Sequence, residues 1–423
     1  MLSGDKDYIF YFFRENYDRG TNYQSLCLRP LSLLKPSDYI VLSDDPSTRS
    51  SFASSKYLYP NQVSDDQIIW VPLSLCDHLH VHETVIEYLR MEIKFDISTY
   101  HLVPYIVTKR LQAVTSKHDI NILGDSLERV PSKDANLSIT FSSQKLKTPA
   151  MFLVEDLNNI MNTYEHAVKA SNIPVFLLKC AHTQGGAGIF KISTKKDLVE
   201  ALKSEELRRL KDSINGLDVG LYGSFSHFKL YFEEFIDNNL ATIVVTCCGD
   251  KVLCVTEQIQ EGYTHIGNSY PLSSKLNICN TFLQTEVLMM SKKFQLTGPW
   301  GMDLVVVNDP GNGPLFYLVD INCGRFNGSH YPYITFRQYC HDHSTNYSCW
   351  MSRKIYFKKS FDSMVCAEDE IRDKNINATI VPMQLALYPG ASRVMVCGTS
   401  KEEIGKAWEQ LKFFEERSGC TTK

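Results

Sequence analysis

The sequence lacks three features that would place it in well-known protein classes. Its longest apolar runs, such as Leu304 to Val307, have the length of a strand and fall far short of a membrane span. It has no block of like charges and no low-complexity tract, and its 44 basic and 48 acidic residues leave a net charge of -4. We therefore expect neither a membrane partner nor a nucleic-acid partner.

The N-terminal residues also lack the pattern of a secretion signal. The apolar patch at 8–13 is short, follows two aspartates and has no small-residue cleavage site. The 13 cysteines are scattered and odd in number, which favours reduced thiols and a cytoplasmic location. A chain of 423 residues without internal repeats is long enough for two or three domains or subdomains.

Strand-like and helix-like patterns alternate along most of the chain, which favours a mixed α/β fold. The predicted strands lie at 8–13, 39–42, 120–123, 175–179, 189–192, 229–236, 241–247, 252–258, 303–307, 315–322, 378–387 and 393–397. The predicted helices lie at 82–92, 108–117, 154–170, 195–212 and 401–417. The segment 128–148 is polar and poorly patterned.

A glycine-rich turn follows the strand that ends at Lys179. The turn carries Gly185, Gly186 and Gly188, and a second strand follows it. Glycines let a backbone approach a ligand closely and direct successive N–H groups at an anion, and the lysine adds a mobile positive charge. This pattern differs from a Walker loop and from a dinucleotide fingerprint, since no helix follows. A flexible hairpin with a solvated lysine is an equally good interpretation of this motif alone.

Two strands around the turn at 308–314 carry acidic residues. If the turn is centred between Gly311 and Asn312, Asp303 and Asp320 lie opposite one another, and Asn322 points to the same face as Asp320. Opposed carboxylates repel, and a divalent cation with all-oxygen ligands removes that repulsion. The pattern therefore predicts a Mg²⁺ site, with Mn²⁺ as an alternative, although acidic strand ends often simply face water.

The next segment, 323–332, is a glycine-containing loop with Arg325, Asn327, Ser329 and His330. The guanidinium of Arg325 can hold a γ-phosphate or a substrate carboxylate through two parallel hydrogen bonds. We therefore predict Arg325 and His330 as catalytic residues. The alternative is an ordinary surface loop with a solvated arginine.

These motifs, in this order, resemble the ATP-grasp superfamily over roughly residues 100–345. That family has a strand-ending lysine and a glycine-rich loop in a lid, then an acidic hinge strand, and later two acidic metal ligands with an asparagine. The ending Arg-Phe-Asn-Gly-Ser-His-Tyr-Pro is most similar to the amino-acid and peptide ligase branch. Two departures stand out: both metal ligands are Asp where Glu is usual, and the arginine follows the asparagine by three positions instead of the frequent two.

The resemblance implies roles for further residues. The hinge corresponds to 231–236, where Glu233 would contact the adenine amino group and the backbone of Glu234, Phe235 and Ile236 would border the adenine edge. Lys109 would be the first nucleotide-binding lysine, with Lys117 as the alternative.

The resemblance also implies an architecture and an activity. It implies an α/β fold in which 1–100 form a small N-terminal domain, 101–345 form the ATP-grasp domain with a lid at 173–236, and 346–423 form a C-terminal α/β extension. The implied enzyme is an ADP-forming carboxylate–amine ligase that uses ATP and acts on an amino acid or small peptide. A homodimer is compatible with this resemblance. The alternatives are an ATP-binding regulatory module and an acyl-phosphate enzyme with a non-amine acceptor.

Overall fold

The protein is described from a computed structural model. The description covers residues 6–11, 28–55, 63–76, 81–92, 96–104, 107–124, 145–180, 188–215, 228–276, 280–309, 311, 313–323, 326, 328–355, 360–384 and 392–417. Within these ranges the fold is a mixed α/β structure with three sheets, which confirms the predicted fold class. None of the described helices is long and apolar enough to cross a membrane.

The first sheet is parallel and lies in the N-terminal part of the chain. Its strand order is β3-β2-β1-β4-β5, and its strands are β1 (Tyr8–Tyr11), β2 (Tyr39–Asp44), β3 (Ile68–Pro72), β4 (His101–Pro104) and β5 (Asn121–Ile122). Its helices are α1 (Pro46–Ser55), α2 (Leu73–Cys76), α3 (Val81–Glu92) and α4 (Lys109–Lys117). Because β4 and β5 pair into this sheet, the N-terminal unit extends beyond the predicted boundary at residue 100.

The second sheet is antiparallel and has its own core. Its order is β7-β10-β8-β9, with β7 (Met151–Val154), β8 (Phe176–Cys180), β9 (Ile189–Ile192) and β10 (Leu230–Glu234). One face is covered by α5 (Ile160–Ser171), α6 (Lys195–Lys203) and α7 (Glu205–Asn215). This unit corresponds to the predicted lid, but it begins with β7, before residue 173.

Two helix predictions in this unit were partly wrong. The range predicted as one helix at 154–170 begins at the end of β7, and α5 starts only at Ile160. The predicted helix at 195–212 is two helices, because Ser204 between them has extended backbone angles and its Oγ accepts a hydrogen bond from Leu207 N at 3.2 Å. Ser204 therefore ends α6 and supports the first turn of α7.

The third sheet is the largest, in the order β17-β18-β16-β13-β12-β11-β14-β15-β6. Its strands are β6 (Leu146–Lys147), β11 (Asn239–Cys248), β12 (Lys251–Glu261), β13 (Thr264–Tyr270), β14 (Pro299–Asp309), β15 (Gly313–Asn322), β16 (Cys349–Ile355), β17 (Ala378–Gln384) and β18 (Ser392–Gly398). The pairs are antiparallel except for β15 with β6. Strands β16 to β18, predicted as part of an extension from residue 346, therefore continue the same sheet.

The two faces of this sheet have different neighbours. One face packs against α8 (Asn280–Phe294), α10 (Ser360–Asp373) and α11 (Lys401–Arg417). The other face packs against α9 (His330–Asp342), and through α9 it shares one core with the N-terminal sheet; that core includes Phe10, Phe336 and Trp350. We call this second side the inner face. The elements absent from the sequence prediction are helices α1, α2, α8, α9 and α10 and strands β3, β4, β6, β7, β13 and β16.

Candidate functional site

The two predicted metal-binding aspartates lie directly opposite one another. In the ladder between β14 and β15, Asp303 pairs with Asp320 and Gly301 pairs with Asn322. Opposed Cβ atoms in an antiparallel pair are ~5 Å apart. The structure thus confirms the predicted register, and the three oxygen-bearing side chains come from adjacent positions of one hairpin.

A β-bulge accounts for this register. Near the turn Asp309 pairs with Gly313 and Leu304 with Leu318, whereas beyond the bulge Asp303 pairs with Asp320, so Val319 is the extra residue. Phe316 and Leu318 belong to the core beneath α8 before the bulge, and Ile321 and Cys323 pack there after it. The bulge therefore reverses the alternation, which turns Asp320 and Asn322 to the inner face that Asp303 already occupies.

The donor set of this hairpin fits a hard cation. Two carboxylates and one amide offer oxygen atoms only, as Mg²⁺ prefers when it retains water and phosphate ligands. Among the described residues, no group of three or more His, Cys, Asp or Glu side chains is arranged to hold a metal. Asp303, Asp320 and Asn322 would be the residues that hold Mg²⁺, and this assignment stays a prediction.

Lys179 and Glu233 form a buried ion pair on the face of the second sheet that is opposite α5 to α7. Lys179 is 6% exposed and Glu233 is 1% exposed, and Lys179 Nζ donates a hydrogen bond to Glu233 Oε1. Lys179 pairs with Tyr231 in the ladder, so it faces away from the core under α5 to α7, in which Leu178 and Phe232 take part. Because Glu233 is so enclosed, its predicted contact with an adenine amino group requires the pair to rearrange.

The hinge after β10 is held by backbone hydrogen bonds. Glu234 N donates to Ala150 O at 2.8 Å, Glu234 Oε2 accepts from Ala150 N at 3.0 Å, and Phe235 N donates to Val175 O at 3.1 Å. These bonds occupy the N–H groups of Glu234 and Phe235, and Ile236, predicted for the same adenine edge, directly follows them.

Gly188 has a structural role at the base of the glycine-rich turn. Its N–H donates to Glu206 Oε1 at 2.7 Å, and its carbonyl accepts from Cys180 N at 3.1 Å. A carboxylate of α7 therefore occupies this N–H in the described structure, and the cofactor-binding role of Gly188 stays a prediction. Gly185 and Gly186 lie outside the described residues.

Lys109 is the first residue of α4, and Lys117 is the last. Nearby, Gly124 and Gly298 approach so closely that a Cβ on Gly298 would lie 2.2 Å from Gly124 Cα, and a Cβ on Gly124 would lie 3.6 Å from Pro299. The same Gly124 position is 3.3 Å from Val107, two residues before Lys109. The start of α4 thus lies near the start of β14, which favours Lys109 over Lys117 as the lysine closer to the hairpin.

The loop after β15 is anchored on both sides of its predicted functional residues. Phe326 is buried, Ser329 Oγ hydrogen-bonds with Thr246 Oγ1, and His330 Nε2 donates to Cys247 O at 2.9 Å. Arg325 and Asn327 lie outside the described residues.

The environment of His330 corrects the prediction that it is catalytic. His330 is 0% exposed, and burial lowers its pKa to about 4. A neutral imidazole with no accessible surface cannot touch a substrate without moving, so the structure does not support a catalytic role for His330.

The inner face also holds polar residues that the sequence analysis did not identify. His265 Nε2 lies 2.8 Å from Asn268 Oδ1, and Asn268 Nδ2 donates to Thr256 Oγ1 at 3.1 Å. Burial, together with the charges of Arg393 and Lys354, lowers the pKa of His265 to about 4. The segment 264–270 was not predicted as a strand, so the alternation of its side chains between the two faces did not indicate that His265 and Asn268 lie near the site.

The overall fold is similar to that of several solved ATP-grasp structures. No protein-family model and no curated protein matches the sequence. Biotin carboxylase from Campylobacter jejuni, solved with a β,γ-ATP analogue, matches with a TM-score of 0.61 at 14% identity, over 98% of this chain and 95% of that chain. N5-carboxyaminoimidazole synthase from Aspergillus clavatus, solved with ADP and 5-aminoimidazole ribonucleotide, matches with a TM-score of 0.60 at 14% identity, over 97% and 99%. N5-carboxyaminoimidazole synthetase from Staphylococcus aureus, solved with ADP, matches with a TM-score of 0.57 at 11% identity, over 96% and 97%. At these identities the likeness establishes one conclusion: this chain has the ATP-grasp fold, preceded by an N-terminal α/β unit.

Proposed function

We propose that this protein is an ATP-dependent, ADP-forming ligase that activates a carboxylate as an acyl phosphate and couples it to an amine. The observation that carries the proposal is the convergence of Asp303, Asp320 and Asn322 on the inner face through the bulge at Val319. The buried pair of Lys179 and Glu233 on the second sheet and the ATP-grasp fold support it.

In this proposal each residue acts on charge or position. Bound Mg²⁺ would neutralise charge on the β- and γ-phosphates. Lys179 would turn from Glu233 toward a phosphate, and Arg325 would hold the carboxylate near the γ-phosphate. A carboxylate oxygen then attacks the γ-phosphorus and ADP leaves. The amine nitrogen attacks the acyl carbon, the phosphate leaves with the C–O bonding electrons, and the amine proton passes to solvent.

We propose an amino acid or small peptide as the substrate, because the segment 325–332 resembles the amino-acid and peptide ligase branch. We also place the protein in the cytoplasm, where ATP and such substrates are found together.

The product nucleotide tests the mechanism. Incubation with ATP, Mg²⁺ and a panel of amino acids and dipeptides should release ADP and phosphate only when both substrates are present. Hydroxylamine in place of the amine should trap a hydroxamate. Arg325→Ala should lose most of this activity, and Arg325→Lys should recover little of it because lysine lacks the two-pronged donor geometry. AMP as the product would overturn the acyl-phosphate route, and ATP binding without turnover would favour a regulatory module.

A second candidate uses bicarbonate as the carboxylate. The comparison favours it, because the similar structures include a biotin carboxylase and enzymes named for a carboxyamino product. In this case ATP hydrolysis should depend on bicarbonate, and labelled bicarbonate should enter an acid-labile product. ADP formation that needs an amino acid and ignores bicarbonate would exclude this candidate.

A further inference from the structure

Strand β17 lies at one end of the third sheet, so in the described part of the chain one of its edges has no neighbouring strand. Unpaired edges present rows of N–H and C=O groups that can pair with another chain. The pairing of β17 with β18 is regular from Ala378 to Pro382. In a regular antiparallel ladder alternate residues direct their backbone groups to the same side, so Ala378, Ile380 and Pro382 share one direction.

Each of these three positions is closed to another strand in a different way. Ile380 N donates to Glu368 Oε2 at 2.9 Å, so this direction points away from β18. Ala378 N donates to Ile376 O at 2.9 Å, and Pro382 has no N–H group. The three outward positions of β17 therefore offer no donor to a neighbouring strand.

Glu368 reaches this edge from α10, and its carboxylate bonds on both sides of the strand edge. Ala378 and Ile380 belong to the core that α10 and α11 share with the sheet, whereas Val381 belongs to the inner-face core. Thr379 points to the same face as Val381, and its Oγ1 donates to Glu368 Oε1 at 2.6 Å. One carboxylate of α10 thus holds a backbone N–H on the edge and a hydroxyl on the inner side.

We propose that Glu368 is an edge cap: it takes the place of a further strand on β17 and prevents a second copy of this chain from pairing there. The partner is a second copy because every molecule carries the same edge, and two such edges related by a two-fold axis pair in antiparallel fashion. Thr379, Ile380 and Val381 are β-branched, which favours an extended pairing segment, and Pro382 limits its length. This role goes beyond the proposed function and does not depend on it.

Glu368→Ala removes both acceptors and opens the edge. Sedimentation velocity should show this variant associating beyond the oligomeric state of the parent protein as the protein concentration rises. Glu368→Gln should keep the parental state, because its amide oxygen can accept from Ile380 N and its amide nitrogen can donate to the hydroxyl of Thr379. Glu403→Ala is the matched control, since Glu403 Oε2 accepts at 2.9 Å from Asn377 N, which precedes the strand. Glu368→Ala in the parental state at every concentration, or equal association of Glu403→Ala, would overturn the proposal.

Hydrogen exchange at the Ile380 amide tests the cap directly and does not require the alanine variant to fold. In the parent protein and in Glu368→Gln this amide should exchange slowly, like the ladder amides of β18. In folded Glu368→Ala, below the concentration at which it associates, the amide should exchange at least ~10-fold faster, because one charge-assisted hydrogen bond is lost. Circular dichroism checks the fold. Rapid exchange of the Ile380 amide in the parent protein, or an unchanged rate in folded Glu368→Ala, would overturn the proposal.

Discussion

At the scale of single residues, the three oxygen donors of the β14–β15 hairpin have distinct positions. Asp303 and Asp320 oppose one another, and Asn322, which is 6% exposed, follows two residues later on the same face. We predict that Asp320→Asn lowers ATP turnover at least ~100-fold while the fold is retained, because the amide keeps the shape and loses the charge that holds Mg²⁺. Phosphate release and circular dichroism measure the two effects.

Asp309→Asn is the control for this substitution. Asp309 lies at the turn end of the same hairpin, opposite Gly313, and its replacement should leave turnover near that of the parent protein. Normal activity of folded Asp320→Asn at ordinary Mg²⁺ concentration would remove Asp320 from the metal site.

The buried pair of Lys179 and Glu233 links nucleotide binding with stability. Removing one partner of a buried ion pair leaves the other charge enclosed, at a cost of about 3–5 kcal/mol. We predict that Lys179→Met loses stability of that order, that Lys179→Met/Glu233→Gln recovers most of it, and that both variants bind ATP more weakly by about 1.5–3 kcal/mol. Urea denaturation and calorimetry measure the two quantities. Independent, additive effects of the two substitutions on stability would contradict a coupled pair.

The same residues show which site assignments the sequence supports. Asp303 and Asp320 lie on two strands that flank a recognisable turn, so their spacing from that turn was enough to predict that they oppose one another. His330 and Gly188 were interpreted from the same kind of pattern, but their partners are Cys247 O and Glu206, 83 and 18 residues away in the chain. A sequence motif shows which polar groups are present, and only the folded structure shows that another residue already forms a hydrogen bond with them.

At the scale of elements, the bulge at Val319 explains why the hairpin prediction succeeded. A turn centred on Gly311, as the pairing of Asp309 with Gly313 requires, would place Asp303 opposite Val319 in a regular ladder. The predicted turn centre, between Gly311 and Asn312, is shifted by half a residue from the true centre. This shift gives the same pairing of Asp303 with Asp320 as the bulge does. No residue type at 319 marks a bulge, so local pattern alone could not predict it.

Helix α9, one of the elements missing from the prediction, is stabilised by residues distant in sequence. Helix α9 begins with His-Tyr-Pro-Tyr and has buried residues at His330, Tyr331, Pro332, Thr335 and Phe336. These residue types have low to middling helix propensity, and the helix is held by its contact with the shared core. Its stability comes from partners distant in sequence, which a local reading does not contain.

The second sheet supports a prediction about movement. Its core lies between its own strands and α5 to α7. We expect amide hydrogen exchange in β8, β9 and β10 to slow when ATP and Mg²⁺ are added, because a closed lid protects these strands. Mass spectrometry should show little change in β18 and α11, which serve as the internal control. Equal exchange of the lid with and without nucleotide would contradict closure.

At the scale of the whole molecule, the buried His82 and His330 and the half-buried His265 make stability depend on pH. Burial lowers the pKa of His82 to about 3 and those of His265 and His330 to about 4. Above pH ~6.5 these residues are neutral in the folded and unfolded chains, but at lower pH only the unfolded chain takes up their protons. The free energy of unfolding should therefore fall as pH falls from ~6.5 to ~4, by about 1.4 kcal/mol per histidine at pH ~5.5.

Carboxylates act on this balance in the opposite direction. Burial raises the pKa values of Asp38 and Glu368, so the folded chain holds their protons more tightly and gains stability as pH falls. His330→Gln isolates the contribution of one histidine. The pH dependence of the unfolding free energy gives the number of protons taken up on unfolding, and between pH 6.5 and 5 this number should be smaller by about one in the variant. A slope in His330→Gln equal to that of the parent protein would show that His330 is not neutral in the fold.

The core shared through α9 limits how the molecule can deform. Phe10 of the N-terminal sheet, Phe336 of α9 and Trp350 of the third sheet belong to one close-packed cluster, so we expect these parts to move together. In the described residues the second sheet has a separate core. We therefore expect its movement to be described by one distance. A pair of spin labels on α7 and α11 should show that distance shorten when ATP and Mg²⁺ are added.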